Sequence, residues 1–325
     1  MDYLTFEQLS SEAATYDDAV LRTPGIDHFC SSSFWILPAA EHLMAPGGPW
    51  VRRSDSAYVA LARSDDGPHS SVLHPLEAMW ALPSPLVGAE PEELSQFLLE
   101  ALGNDPGWGA VFLTGLHERS ALWKKLVPAL SRRYELSRGP VARRYAVDLT
   151  GGVDGFLRNR SSGFRKNLRK AERRARQVEL RFEIADDCAP EDADASFERL
   201  LAIEQRSWKG RRGVGIDTDP MCAFYRSMNR RLVERRARRL LFATIEGNDA
   251  AYIFGGLFGK TYRGLQFSFD DRYKEHSLGN LCQLEEIRRL SDDGVESYDL
   301  GTEVPYKKRW GDRVFATSCL VIQPS

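Results

Sequence analysis

Apolar positions along the first 150 residues switch between two periods. In EPEELSQFLLEALGND, Leu94, Phe97, Leu98, Ala101 and Leu102 recur at helical spacing, the pattern of a helix that buries one stripe. SAYVALARS (56–64), SSVLHPL (70–76) and WGAVFLTGL (108–116) alternate or run apolar, as strands do, and DDGPH (65–69) supplies turn chemistry between the first two. Further helices are expected from Thr5 to Asp18, from near His28 through FCSSSFWILPAAEHL, and at ERSALWKKLVPALSRR, with a closing strand at ARRYAVDL. Strands set between helices predict an α/β domain ending near Leu149.

The second half repeats the cycle. A helix is expected over Val153–Gln177, where Phe164, Leu168, Ala171 and Ala175 form a narrow apolar stripe among arginines. VELRFEIA alternates as a strand, and Ala193–Trp208 reads as a helix carrying Phe197, Leu200, Leu201 and Ile203. After the glycine-rich KGRRGVG, Asp219 is a cap candidate and Pro220 suits the first position of a helix ending near Arg239. LLFATIE, AYIFGGLFG and YRGLQFSFD, separated by short turns at 247–249 and 259–261, predict an antiparallel meander. The loop DRYKEHSLG, a helix over Asn280–Ser291, the strand SYDLG and the strand RVFATSCLVIQ complete the chain. No close internal repeat is present, although the two halves share an order of elements.

Composition narrows the class. The 325 residues are 42% hydrophobic and 28% charged with a formal net charge of −2, an ordinary globular balance for a chain long enough for two domains. No apolar run approaches a membrane span and the first residues are acidic and polar, so a cytoplasmic location is expected. Cys30, Cys188, Cys222, Cys282 and Cys319 are scattered, and the six histidines form no HxxxH or HxH pair; no metal site is expected. The near-neutral total hides two basic runs. Arg158–Arg176 holds nine basic residues against one acid, and Arg226–Arg239 seven against one. Such runs suit an anionic ligand, whether a nucleotide cofactor, an acidic peptide or RNA, and equally a solvated helix face.

Two stretches carry candidate chemistry. Phe267–Asp270 ends a strand, the chain turns past Arg272 and Lys274, and Gly279 opens a helix. The first amides of a helix lack intrahelical acceptors and sit at its positive end, so this spacing suits a pyrophosphate, or is only a turn. YDLGTEVPYKKRWG (298–311) sets Asp299, Glu303, Tyr306, Lys307 and Trp310 around a glycine and a proline. An amine attacking a thioester or ester carbonyl needs a base and an oxyanion donor. Glu303 or Asp299 suits the base and Tyr306 can protonate a leaving thiolate. Otherwise Asp299 caps the turn, Glu303 pairs with Lys308 or Arg309, and Trp310 packs under the sheet.

FRKNLRKAERRA, EQRSWKG, the meander with its Gly-Gly, DDRYKEHSLGNLCQLEEIRR and DLG…YKKRWG together resemble the FemAB-like branch of the GNAT superfamily, and within it the CelD-like (BioF-like) acetyltransferase domain. The resemblance covers about Gly155–Val321, and the first half is similar to that family's degenerate partner domain. It implies an α/β protein of two tandem GNAT-like domains, 1–149 and 150–325, each a mixed, largely antiparallel sheet flanked by helices. The second would hold acetyl-CoA or a longer acyl-CoA. The implied donor site is Phe267, Ser268, Phe269, Lys274, Ser277, Leu278, Gly279, Asn280 and Leu281; of the usual Q/R-x-x-G-x-G/A loop only Gly279 is kept, and Leu278 stands where this branch has proline. Lys307 matches the lysine that Fem-like enzymes keep near the reacting carbonyl. Arg165 and Arg169 would contact an acidic acceptor or the phosphates, or merely solvate a helix. Trp208, Tyr225 and Trp310 stand as acceptor contacts or packing. The implied activity is acyl-CoA-dependent N-acyltransfer to a peptide, amino acid or amino sugar. The alternatives are a Fem-type aminoacyl-tRNA-dependent transferase and a non-catalytic GNAT-fold binding protein. Against the tRNA reading, the chain has no long heptad hairpin, and its isoelectric point is near 6.3.

Overall fold

The structure, a computed structural model, describes residues 1–44, 47–65, 71–105 and 107–325. The chain forms two compact units, one of residues 1–143 with 316–325, the other of residues 144–315.

The first unit contains β1 (Asp2–Leu4), α1 (Phe6–Ser11), α2 (Ala13–Arg22), α3 (His28–Ser31), α4 (Ser33–His42), β2 (Gly48–Arg53), β3 (Ala57–Asp65), β4 (Ser71–Pro75), β5 (Leu86–Gly88), α5 (Pro91–Gly103), β6 (Trp108–Leu116), α6 (Ala121–Leu130) and most of β7 (Tyr134–Asp148). The expected first helix divides into α1 and α2 at Glu12, and the expected second into α3 and α4 at Ser32. The turn expected at 65–69 lies outside the described residues, apart from the backbone of Asp65 at the end of β3. The stripe of α5 is buried as its period requires: Leu94, Phe97, Leu98 and Leu102 pack with Leu61, Leu113, Leu126, Leu320 and Ile322 in one core.

The second unit contains the end of β7, then α7 (Gly152–Arg158), α8 (Ser162–Gln177), β8 (Arg181–Ile184), α9 (Ala193–Arg206), α10 (Trp208–Arg211), α11 (Met221–Glu234), β9 (Arg238–Ile245), β10 (Asn248–Phe258), β11 (Thr261–Phe269), α12 (Leu278–Asp292), β12 (Ser297–Thr302) and the start of β13 (Arg313–Pro324). The single helix expected over Val153–Gln177 is two. Ser161 leaves the helical conformation and its hydroxyl accepts the Phe164 N–H at 3.2 Å, capping a new helix after α7 has ended. The helix expected to reach Arg239 stops at Glu234; its N-cap is Pro220, and Asp219 accepts the Ala223 N–H at 3.2 Å. The meander forms as expected, with β10 antiparallel to both β9 and β11.

The two units repeat one topology. In the first, β1-β2-β3-β4 run antiparallel, β4 pairs in parallel with β6 after α5, and β6 pairs antiparallel with β13. In the second, β8-β9-β10-β11 run antiparallel, β11 pairs in parallel with β12 after α12, and β12 pairs antiparallel with β7. The last strand of each sheet comes from the other half of the sequence. A break at 149/150 therefore does not describe the compact units, because the chain's last ten residues return to the first.

Candidate active site

The site begins where two parallel strands part. β11 pairs with β12 only at Thr261–Arg263 against Ser297–Asp299. Beyond that point β11 continues to Phe269 beside β10, and β12 continues to Thr302 beside β7. Each strand thus turns an unpaired edge toward the gap, and an extended amide-bearing chain can pair there. Opposite Phe254 and Gly255 of β10 the register shifts and leaves Leu265 as an extra residue on β11, and such an irregularity bends the strand that carries it.

At the closed end of the gap sits Asp299. Its carboxylate accepts from Arg144, from Arg263 Nη1 at 2.9 Å and from the Gly301 N–H at 2.7 Å. Burial by itself would raise its pKa, yet Arg263, Arg144 and the Gly301 amide hold it below the ordinary value. Gly301 has φ +82°, and a Cβ there would lie 3.3 Å from Lys307 Nζ and 3.5 Å from Arg263 Nη2. A methyl at this position would thus touch both cations. Lys307 reaches this point from a 3-10 turn, Pro305–Arg309, and donates to the Thr302 carbonyl at 3.0 Å. Burial, reinforced by Arg263 and only partly offset by Asp299, lowers its ammonium to about 8.

Tyr306, on the same turn, meets Phe267 edge to face at 5.9 Å, and burial raises its phenol to about 12. It therefore stays protonated across the neutral range. Glu303 is exposed and accepts from the Tyr145 hydroxyl at 3.0 Å, not from Lys308 or Arg309. Trp310 lies outside the site. It is 3% exposed and stacks on Phe156 with Phe164 against its edge, so it packs in the core and does not present a surface to a substrate.

α12 follows the open stretch of β11 after a 3-10 turn, Asp271–His276. Ser277 is left-handed at φ +59°, and its carbonyl accepts the amides of Asn280 and Leu281 at 3.0 and 3.2 Å. Those two amides close the first turn, and the amides of Leu278 and Gly279 are the ones for which the helix has no internal acceptor. Leu278 and Leu281 are buried, and Phe267 and Phe269 pack against the cluster containing Leu278. A Cβ on Gly279 would come within 2.9 Å of the Phe267 ring, so close packing accounts for that glycine. Lys274 is exposed, while Ser268 is buried with no hydrogen-bond partner for Oγ among the described residues.

On β11, Gln266 joins a polar network that the sequence reading did not single out. Glu204, fully buried on α9, accepts from Lys209 Nζ at 3.0 Å and from the Tyr252 hydroxyl at 3.0 Å. Lys209 also donates to Gln266 at 3.2 Å, and Gln266 donates to the Tyr225 hydroxyl at 2.9 Å. Tyr225 is thus buried beside the open stretch of β11, whereas Trp208 is 45% exposed under Arg212. The signal for Glu204 and Lys209 was the EQRSWKG stretch itself: Ser207 caps α10, and Gly210 fits against the Glu204 carbonyl. Arg144 and Arg263 were signalled only by cations inside apolar strand runs.

The basic runs divide. Arg226 and Arg230 pair with Glu198 and Asp194 at 2.6 and 2.5 Å, Arg239 pairs with Asp293, and Arg238 is buried on the carbonyls of Ala185 and Asp186. On α8, by contrast, Lys166, Arg169, Lys170, Arg173, Arg174 and Arg176 are exposed, while Glu172 is engaged by Arg288 at 2.5 Å. Arg165 turns back to donate to the Arg160 carbonyl at 2.7 Å, bracing the α7–α8 junction. No group of three or more metal-ligating side chains exists among the described residues.

Residues 162–308 match the family described as Acetyltransferase (GNAT) domain. No curated protein matches the sequence. Among solved structures, a conserved protein of unknown function from Bacteroides thetaiotaomicron VPI-5482 is 9% identical over 99% of both chains with a TM-score of 0.66. FemX is 11% identical over 94% of this chain and 95% of its own, with a TM-score of 0.65. L-PGS from Bacillus licheniformis is 13% identical over 96% of this chain and 91% of its own, with a TM-score of 0.53. At such identities the likeness is one of fold.

Proposed function

We propose, on the premise that residues 162–308 are a GNAT acetyltransferase domain, that this protein transfers an acyl group from a CoA thioester to an amine on a peptide, amino acid or amino sugar. The observation that carries the reading is the parting of β11 and β12, with Lys307 at its closed end, Tyr306 beside Phe267 on the open stretch of β11, and the first amides of α12 packed near the same Phe267. The unpaired edge of β11 suits the amide groups of a pantetheine arm, and the Leu278 and Gly279 amides suit a phosphate. Lys307 Nζ, as ammonium, is the donor for the oxyanion that forms when the thioester carbonyl is attacked, and the Tyr306 hydroxyl can protonate the departing thiolate. Asp299 is a positioning residue: its carboxylate is engaged by two guanidiniums and an amide, and it orients Arg263 next to Lys307.

A second reading, transfer from an aminoacyl-tRNA, draws on the exposed cations of α8, which suit a phosphate backbone. A GNAT fold that binds without catalysis is the third. One set of measurements separates them: mass spectrometry of ligand retained on the purified protein, thermal shift with acetyl-CoA and longer acyl-CoA esters, and CoA release with an amine panel. The acyl-CoA reading expects a raised melting temperature and turnover. It fails if no CoA ester binds and Lys307→Ala leaves the native activity intact. Strongly salt-dependent RNA binding would favour the second reading.

A further inference from the structure

An amine acceptor arrives at neutral pH as an ammonium ion and must lose a proton before it attacks. Neither carboxylate of the 298–311 stretch is well placed to take it. Asp299 is enclosed by Arg144, Arg263 and the Gly301 N–H, and Glu303 is engaged by the Tyr145 hydroxyl. Lys307 is placed differently. Its Nζ and Arg263 Nη2 both come within 3.5 Å of the point where a Gly301 Cβ would stand. A guanidinium keeps its proton, so of two such crowded cations the lysine is the one that yields. The groups facing Lys307 are Arg263 from β11, Asp299 from β12 and the Thr302 carbonyl. Arg144, from β7, shares the Asp299 oxygen that Arg263 uses.

We propose that Arg263, held by the Asp299 carboxylate that Arg144 also engages, is a positioning residue that helps make Lys307 the proton acceptor of the reaction as well as its oxyanion donor. The inference rests on the acyl-transfer reading. Lys307, as neutral amine, takes one proton from the acceptor ammonium. The freed amine forms the C–N bond, and the new Lys307 ammonium faces the oxyanion. The C–S bond then breaks, the second nitrogen proton passes to the thiolate through the Tyr306 hydroxyl, and Lys307 returns its proton to water. Burial first and Arg263 next lower the Lys307 ammonium to about 8, in agreement with this order of events.

The test does not depend on turnover. Competitive labelling of the intact protein with trace acetic anhydride, from about pH 6 to 11, reads each lysine's titration by peptide mass spectrometry. Lys307 is expected to titrate at about 8, below the ordinary lysine value. In Arg263→Gln it should rise, with burial alone left to hold it down. Arg144→Gln, which leaves Asp299 one guanidinium fewer, should raise it in the same direction and serves if Arg263→Gln does not fold. In turnover, kcat/KM should climb to a plateau above about pH 8, on a limb that moves with the labelling titration and persists in Glu303→Gln. Lys307 titrating at the ordinary lysine value in the unaltered protein, or unmoved by both arginine substitutions, overturns the proposal. A low-titrating Lys307 with no turnover of any CoA ester overturns the acyl-transfer reading instead.

Discussion

Lys307 owes its character to neighbours it does not resemble in sequence. Replacing it with alanine should lower kcat by about 10²–10³-fold, the loss typical of one oxyanion donor, with little change in melting temperature. Gly301→Ala should act through the same point. Its φ of +82° costs a side chain about 1–2 kcal/mol and the new Cβ would crowd Lys307 Nζ, so denaturant titration and turnover should both register the change. Glu286 offers a separate readout. It is fully buried, donated to by Arg289 at 2.8 Å, and burial outweighs its arginine neighbours to raise its carboxyl to about 7. Because the folded pKa is raised, stability from this group is present below its unfolded value and declines as pH climbs to about 7. Glu286→Gln should remove that decline, worth on the order of 3 kcal/mol, as read by melting temperature against pH. The types and spacing in YKKRWG made Lys307 and Tyr306 readable as candidates. Arg263 and Arg144 were not, since one lies about 40 residues and the other more than 150 before Lys307 and only strand pairing makes them neighbours.

Among the elements, the helices were readable wherever burial follows one period. The stripe of Leu168, Ala171 and Ala175 on α8 is buried as its spacing required. The break at Ser161 was missed although no apolar side chain lies between Leu157 and Phe164, because the arginines there also suit a helix and a cap depends on local backbone geometry. Ser161→Ala should therefore cost about 1 kcal/mol, visible as a lowered melting temperature. The parting of β11 from β12 could not be read either. Both segments have strand patterns throughout, and where two strands stop pairing depends on the register of each with its other neighbour.

For the whole molecule, the tandem arrangement was legible as a repeated order of elements, while the exchange of final strands was not. Leu320 and Ile322 on β13 belong to the core of the first unit. Ending the chain after Phe315 should thus expose that core, with limited proteolysis cutting within residues 1–143 far faster than within 144–315. Equal protection of both segments would show that β13 is dispensable.

Sequence by itself determined the elements, their repeated order and the residue types available at the strand end, because period, turn chemistry and side-chain identity are local properties. Tertiary structure decided which of those residues act together. It buried Trp310, tied Asp299 between two arginines, and set Arg263 beside Lys307, because charge interactions fall off over a few ångströms and only the folded sheet sets those distances.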